Sequence, residues 1–334
     1  MPSDKNISKK RCERNVISGK FFLSLVDYRN NLFTSDNPDD IMKFYESFQS
    51  RDDLIEWMRE RPKGAAYVHE VDGTKDIVVV IPTADFNGKY AKECRENIFK
   101  GLHIIFVESG EVPDPYFNYA HNCNVGINKA LEHNPKWIIL SNDDMEKIDE
   151  IEELNKGLID IPYTHPFLVY SEHRKTTTNV VRLSFPTLVR SLLYYIVAGY
   201  TRNLISFERK FKVRYFVSPA VFPYNMFFKV KYTFPAVGDF VICSSALLRT
   251  LPNLFDETFI NGGEDVDFSI SIYITGCTYH SIDYKIKSVG GASLGNKGRM
   301  LKDVLNLSYL SYKTDKIYML EQKLQKGINR VEKN

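Results

Sequence analysis

No stretch of this 334-residue chain approaches the roughly 20 apolar residues a helix needs to cross a bilayer. The nearest run, Ser191 to Tyr200, is too short and is flanked by Arg190 and Arg202. Charge of one sign is lacking too: 44 basic against 42 acidic residues leave a net charge of +2. That excludes a whole-molecule nucleic-acid footprint, so any electrostatic partner must be met by a local patch. The five cysteines, Cys12, Cys94, Cys123, Cys243 and Cys277, are odd in number and never spaced as CxxC, which argues against a zinc or redox framework. They read as reduced thiols of a cytosolic protein. Residues Met1 to Arg14 lack the apolar run of a cleaved secretion signal, so a soluble or peripheral protein is expected. No GxGxxG follows the strong apolar run Ile77-Val78-Val79-Val80-Ile81, which sets aside a nicotinamide dehydrogenase.

What is present is an ordinary globular composition, 43% apolar and 26% charged, in a chain long enough for a substantial core. The first 30 or so residues are polar, basic and unpatterned. From Asp36-Asn37-Pro38 onward, a helix-start signal precedes Ile41, Phe44, Tyr45 and Phe48, then Leu54, Ile55, Trp57 and Met58 at roughly helical spacing. Residues 1–75 are therefore expected to form a helical extension. The main domain is expected from Asp76 to residue 295. Its β-branched run Ile77–Ile81, closed by Pro82, is followed by a helix over Tyr90 to Lys100 and a second strand, His103–Val107. A helix over Asn122 to Glu132 then leads to a third strand, Trp137–Leu140. Strands alternating with helices at this pitch predict an α/β fold with a mostly parallel sheet flanked by helices. Ligands bind such sheets beyond the carboxyl ends of the strands. Thr83, Asp85, Glu108, Ser109 and Asn142-Asp143-Asp144 all fall at that edge.

Two acidic groups stand out. Asn142-Asp143-Asp144 follows a buried strand, where carboxylates would be hard oxygen ligands for Mg²⁺ or Mn²⁺, although Asp and Asn also start helices. Glu264-Asp265 opens a predicted helix after Gly262-Gly263, where acids also simply complement the helix dipole. One acid serving a cation and another serving proton transfer would suit a hydroxyl attacking a sugar carbon while phosphate leaves.

The ordered set of motifs resembles the family 2 inverting glycosyltransferases of the GT-A fold, in the rhamnosyl- and galactosyltransferase-like branch. The matching segments are Ile77–Ile81 with the loop Pro82 to Asn87, Val107-Glu108-Ser109-Gly110, and Ala120-His121-Asn122-Cys123-Asn124-Val125-Gly126. They continue with Leu140–Asp144, Gly238-Asp239-Phe240, Phe255-Asp256-Glu257 and Glu264-Asp265-Val266-Asp267. The resemblance spans about Asp76 to Ser293, apart from an insert at 165–235. It implies a GT-A fold and transfer of a sugar from a nucleotide-diphosphate donor, UDP favoured, to a hydroxyl of a glycan or lipid-linked acceptor. It also implies Asp144 as metal ligand with Asn142 a weaker partner, and Asp265 as general base with Glu264 second. Nucleotide contacts would come from Thr83, Asp85, Glu108, Asn124, Asn142 and Asp143. The first acid of the metal motif is replaced by Asn142, and Ser288 stands where the family carries a His before Gly290-Gly291-Ala292-Ser293; His280 is too distant to substitute.

The 165–235 insert is dense in aromatic and basic residues, and Leu188, Leu192, Tyr195, Ile196 and Gly199 fall on one helical face. That pattern suits peripheral contact with an anionic membrane, where each Lys or Arg adds about 1 kcal/mol, or a site for a lipid-linked phosphate acceptor, or else a core helix with a solvated basic loop. A location at the inner face of the membrane is the corresponding expectation. Residues 296–334 read as a charged helical tail. The rival functions are a non-catalytic binding or scaffold protein on the same shell and a sugar nucleotidyltransferase. Thr83 to Lys89 lacks the Gly-rich basic loop of the latter.

Overall fold

The computed structural model describes residues 27–110, 114–171, 177–183, 202–218, 228–289 and 301–316. Helix α1 covers 27–34. Helix α2 (Pro38–Glu46) starts where Asn37 accepts the Asp39 N–H and Pro38 supplies a preset φ, and α3 (Arg51–Glu60) starts where Ser50 accepts the Asp53 N–H. Both bury the apolar faces that the spacing predicts.

Next come strands β1 (Ala66–Val71) and β2 (Thr74–Thr83), the short helix α4 (Lys89–Glu93) running into a π turn at Cys94–Ile98, and β3 (Leu102–Ser109). Helix α5 (Tyr119–Glu132), β4 (Trp137–Ser141), β5 (Met145–Lys147), α6 (Ile151–Leu158) and β6 (Phe167–Ser171) follow. Beyond lie β7 (Thr177–Leu183), α7 (Arg202–Lys210), β8 (Tyr215–Ser218), β9 (Phe228–Pro235), β10 (Phe240–Ser244) and α8 (Ser245–Thr250). Helix α9 (Glu264–Ile274), β11 (Thr278–Ile282), β12 (Ile286–Ser288) and a last helix α10 (301–316) complete the described chain.

The central sheet has seven strands in the order β1-β3-β2-β4-β10-β6-β11. Strands β2, β3, β4, β6 and β11 run one way, while β1 and β10 run against them. The expectation of a mostly parallel, helix-flanked α/β sheet therefore holds. The sheet also takes in Ala66–Val71, which the sequence reading leaves in a helical extension. That segment has only exposed and half-buried side chains, so it lacks the apolar run by which β2 and β3 announce themselves. Likewise Phe167–Ser171, at the start of the supposed insert, is a buried strand of the central sheet. The insert's other described strands form a separate small sheet, β8-β7-β9. Leu188, Leu192, Tyr195, Ile196, Gly199 and Gly290–Ser293 lie outside the described residues. No helix among the described residues is long and apolar enough to cross a membrane.

Apolar residues on one face of the sheet pack under α4 and α6, and those on the other under α5, α8 and α9. Gly126 lets α5 approach closely: a Cβ there would lie 2.4 Å from Val80 Cγ1 and 3.0 Å from Val107 Cγ2. Both contacts are with β-branched core side chains that have little room to give. Gly126→Ala is expected to cost about 1–3 kcal/mol in a urea titration. An unchanged midpoint would mean that α5 is not seated this closely.

A third core joins the N-terminal and C-terminal helices of the described residues. Helices α2 and α3, α7, the small sheet and α10 bury one shared cluster of apolar side chains. The Tyr45 hydroxyl donates to the Leu301 carbonyl at 2.7 Å, tying the helical prefix to α10. The tail is thus helical over 301–316 and part of a packed layer. Cys94, Cys123, Cys243 and Cys277 are free and buried.

Candidate functional site

Strands β2, β3 and β4 end along one edge, with Thr83 paired to Glu108 and Val80 to Leu140. The antiparallel pairing of Phe240 with Ser141 then sets Asp239 beside Asn142, whose N–H donates to the Asp239 carbonyl at 2.9 Å. Asp144 is 8% exposed, and its Oδ1 is buried with no hydrogen-bond partner among the described residues. Burial raises its pKa above the ordinary carboxylate range, and the charges of Asp143 and Asp239 push the same way. The Asp144 carbonyl accepts from the Val289 N–H at 2.8 Å. Ser288, standing where the resemblance calls for a His, pairs across the strands with Met145, the residue after Asp144.

Asp143 is committed differently. Its Oδ2 accepts from the Thr83 hydroxyl at 2.7 Å, its carbonyl accepts from the Cys94 thiol at 3.3 Å, and burial raises its pKa. This joins the end of β4 to the loop after β2. In that loop the Asn87 N–H donates to Asp85 Oδ1 at 2.9 Å, and the Phe86 N–H donates to Glu108 Oε1 at 3.0 Å. Glu108 Oε2 lies 2.7 Å from His69 Nε2. The Phe86 and His69 bonds, acting against burial, hold the Glu108 carboxyl below its usual range. His69 stacks on Phe86 with centroids 4.3 Å apart, and Arg95 lies 4.8 Å from the Phe86 centroid. Glu108 therefore organises this loop, while Asp85 shapes its turn.

The second acidic group belongs to α9. The residue before it, Gly263, has φ +88°, and a Cβ there would meet the Phe259 ring at 3.2 Å, so glycine fits on both counts. Glu264 is 7% exposed, whereas Asp265 is exposed. Between the acidic groups lies Tyr119, the first residue of α5. Its hydroxyl donates to Asn142 Oδ1 at 3.2 Å. Burial raises the Tyr119 pKa well above the usual phenol value, followed by interaction with Cys123 and then the negative charges of Glu264 and Asp265. One side chain thus touches the β4 cluster and feels both acids of α9.

Tyr119 is held from both sides. Its N–H donates to Asn261 Oδ1 at 3.0 Å, and Asn261 takes a positive φ of 51°. The preceding Asn118 accepts the His121 N–H at 2.9 Å, and its own amide donates to the carbonyls of Glu257 and Phe259. Sequence reasoning named neither Tyr119 nor Asp239 as a site residue. The available signals were Asn118, a helix-cap residue directly before Tyr119, and the acid within Gly238-Asp239-Phe240.

Asn124 has a different part. Its amide donates to the Phe255 carbonyl and to Glu257 Oε1, both at 2.9 Å, and its Oδ1 accepts the Phe255 N–H at 2.9 Å. It braces the loop that leads to α9 and lines a polar cavity of about 510 Å³ with Asp256, Glu257, Asp267 and Lys313.

Among the described residues, the one group of three side chains close enough to share a metal ion is Glu70, His103 and His133, not a set around Asp144. It lies at the other end of β3, roughly 17 Å from Glu108 at 3.3 Å per residue. The expectation that the chain can hold a metal has structural support at that place. The region of Asn142 and Asp144 offers isolated oxygen ligands instead. No family model and no curated protein sequence matches the chain, so any chemistry read from these residues rests on this geometry.

Proposed function

We propose that the chain is a metal-dependent inverting glycosyltransferase of GT-A type. It would move a sugar from a nucleotide-diphosphate donor, UDP favoured, to a hydroxyl of a glycan or lipid-linked acceptor. The observation that carries this reading is Tyr119. It bonds to Asn142 while the charges of Glu264 and Asp265 act on its hydroxyl, which supports a reading in which the two acidic groups flank one crevice beyond the carboxyl ends of the strands.

Asp144 offers an oxygen of the kind a hard cation takes. Asp144 presents a buried oxygen without a hydrogen-bond partner among the described residues, and its charge is opposed by Asp143 and Asp239. Asp144 and Asp239, with the Asn142 amide oxygen, would hold Mg²⁺ or Mn²⁺, which takes only one or two protein carboxylates and completes its sphere with water and phosphate. When bound, such an ion supplies charge stabilisation for the departing diphosphate. Asp265, exposed at the mouth, takes the proton from the acceptor hydroxyl, and Glu264 is second for that role. Attack from the face opposite the leaving diphosphate inverts the anomeric carbon. Thr83 and Asp85 face the nucleotide end, with Glu108 fixing their loop and Asp143 fixing Thr83. Tyr119 keeps Asn142 aligned with α9.

Thermal unfolding with nucleoside diphosphates and Mn²⁺ tests this. A bound nucleotide at about 100 times its Kd stabilises the fold by about 2.7 kcal/mol, so UDP with Mn²⁺ is expected to raise Tm by several degrees. Asp144→Asn is expected to weaken the Mn²⁺-dependent part about tenfold or more in affinity. A wild-type Tm insensitive to every nucleotide with Mn²⁺ would overturn the reading. The second reading is a non-catalytic binding protein, favoured by Asn142 in place of an acid. It predicts the same nucleotide shift without any Mn²⁺-dependent release of nucleotide from a sugar donor.

A further inference from the structure

The edge of the sheet opposite the proposed crevice carries chemistry that sugar transfer does not use. Glu70 projects from β1, His103 from β3, and His133 caps the C-terminal end of α5. Both imidazoles aim Nε2 at the same carboxylate oxygen: His103 Nε2 lies 2.9 Å and His133 Nε2 2.7 Å from Glu70 Oε2. The two rings meet edge to face with centroids 4.5 Å apart. All three ligand atoms lie within 4.8 Å of one another.

We propose that Glu70, His103 and His133 form a binding site for a borderline divalent transition metal of the Zn²⁺ class, which clamps edge strand β1 to β3 and to the end of α5. Two imidazole nitrogens and one carboxylate oxygen are a zinc-type set, whereas Mg²⁺ and Ca²⁺ prefer all-oxygen ligands. Zinc bonds of about 2.0–2.1 Å in tetrahedral arrangement need ligand atoms about 3.3 Å apart. The observed separations of 2.9 and 2.7 Å are a few tenths of an ångström short, within reach of small side-chain rotations.

The surroundings support the assignment. The His103 side chain is 1% exposed, and its Nδ1 has no hydrogen-bond partner among the described residues, but Asp72 Oδ1 lies 3.8 Å from it. A carboxylate behind the non-ligating nitrogen is the partner that orients a metal-bound imidazole. The other Glu70 oxygen, Oε1, is 3.4 Å from Lys129 Nζ, which leaves Oε2 for the metal. Lys75 Nζ lies 3.3 Å from His133 Nδ1 and would move off when that nitrogen carries the proton. Glu70 and His133 are partly open to solvent, which gives the ion a path in and room for a water as fourth ligand.

Zn²⁺ binding to the full chain, measured by calorimetry and by metal content after gel filtration, tests the site. One Zn²⁺ per chain and a raised Tm are expected at neutral pH, with no competition from excess Mg²⁺. The conservative variants Glu70→Gln and His133→Asn, checked for folding by near-UV circular dichroism, are expected to bind about tenfold more weakly or worse. Absence of Zn²⁺ binding in the wild type, or undiminished binding in both folded variants, would overturn the proposal. Because the site lies at the far edge of the sheet, its failure leaves the nucleotide test at Asp144 untouched.

Discussion

Asp265→Asn is expected to slow sugar transfer by about 10²–10⁴-fold while leaving the KM for the donor close to its wild-type value. The substitution keeps the side-chain shape and retains an oxygen to accept the Val266 N–H that now donates to Asp265 Oδ1 at 2.8 Å, so α9 has no reason to shift. What is lost is the negative charge and with it the capacity to take a proton. Asp265 is favoured over Glu264 because it is exposed at the start of the helix, where an acceptor hydroxyl can reach it, whereas Glu264 is 7% exposed. Glu264→Gln provides the contrast. Should Glu264→Gln abolish transfer while Asp265→Asn leaves the rate intact, the base is Glu264. Full rates in both variants would remove proton transfer from α9 altogether. Initial rates with saturating donor and varied acceptor separate these outcomes.

The parts of the fold that could be read from the chain are those where burial is two-sided. Ile77–Ile81 and Trp137–Leu140 announce themselves because a strand covered on both faces must be apolar at every position. Ala66–Val71 pairs as well as they do, yet its Tyr67, His69 and Glu70 face water or polar partners, so nothing in its composition marks a strand. Strand β10 is apolar and easily found, but its reversed direction is set by pairing with β4 and β6, about which local sequence is silent. The site divides the same way. An acid directly after a buried strand, such as Asp144, and acids opening a helix after a Gly pair, such as Glu264 and Asp265, are conspicuous in the chain. Tyr119 is not, because its importance comes from Asn118 and Asn261 holding it between two segments far apart in the chain. Glu108 was legible as an edge acid, but its attachment to Phe86 and His69 depends on β1, the strand whose pattern is weakest.

Those dependencies make the position of α9 the mechanical question, and Lys313 is the residue on which it turns. Lys313→Met is expected to destabilise the fold by about 3–5 kcal/mol at neutral pH, since it removes the partner of a buried charge. Lys313 Nζ lies 2.7 Å from Asp256 Oδ2 and 2.6 Å from Asp267 Oδ2, and the Asp267 side chain is only 6% exposed. Lys313 favours the charged form of both acids, yet their net shifts differ in sign because burial weighs differently on them. For Asp267 burial dominates and its pKa is raised, with Lys313 opposing. For Asp256 burial is outweighed by Lys313 and by the Thr258 hydrogen bonds, and its pKa is lowered. The lowered Asp256 gives stability above its unfolded pKa that disappears as pH falls through the folded value. Without Lys313 that contribution shrinks, and Asp267 rises further. A raised carboxyl contributes fully below its unfolded pKa and loses that contribution as pH climbs through the folded one. Both effects open the gap between wild type and variant as pH rises, so the difference should be largest at neutral pH and should narrow toward about pH 4. Urea titrations at the two pH values measure it. Adding Asp267→Asn to the variant is expected to restore a good part of the loss. A gap equal at both pH values would assign Lys313 to packing, since its ammonium also lies 5.7 Å from the Phe259 centroid and 5.8 Å from that of Tyr309. In that case α9 would be positioned by apolar contact with α10, and the acids at its start would owe nothing to this ion pair.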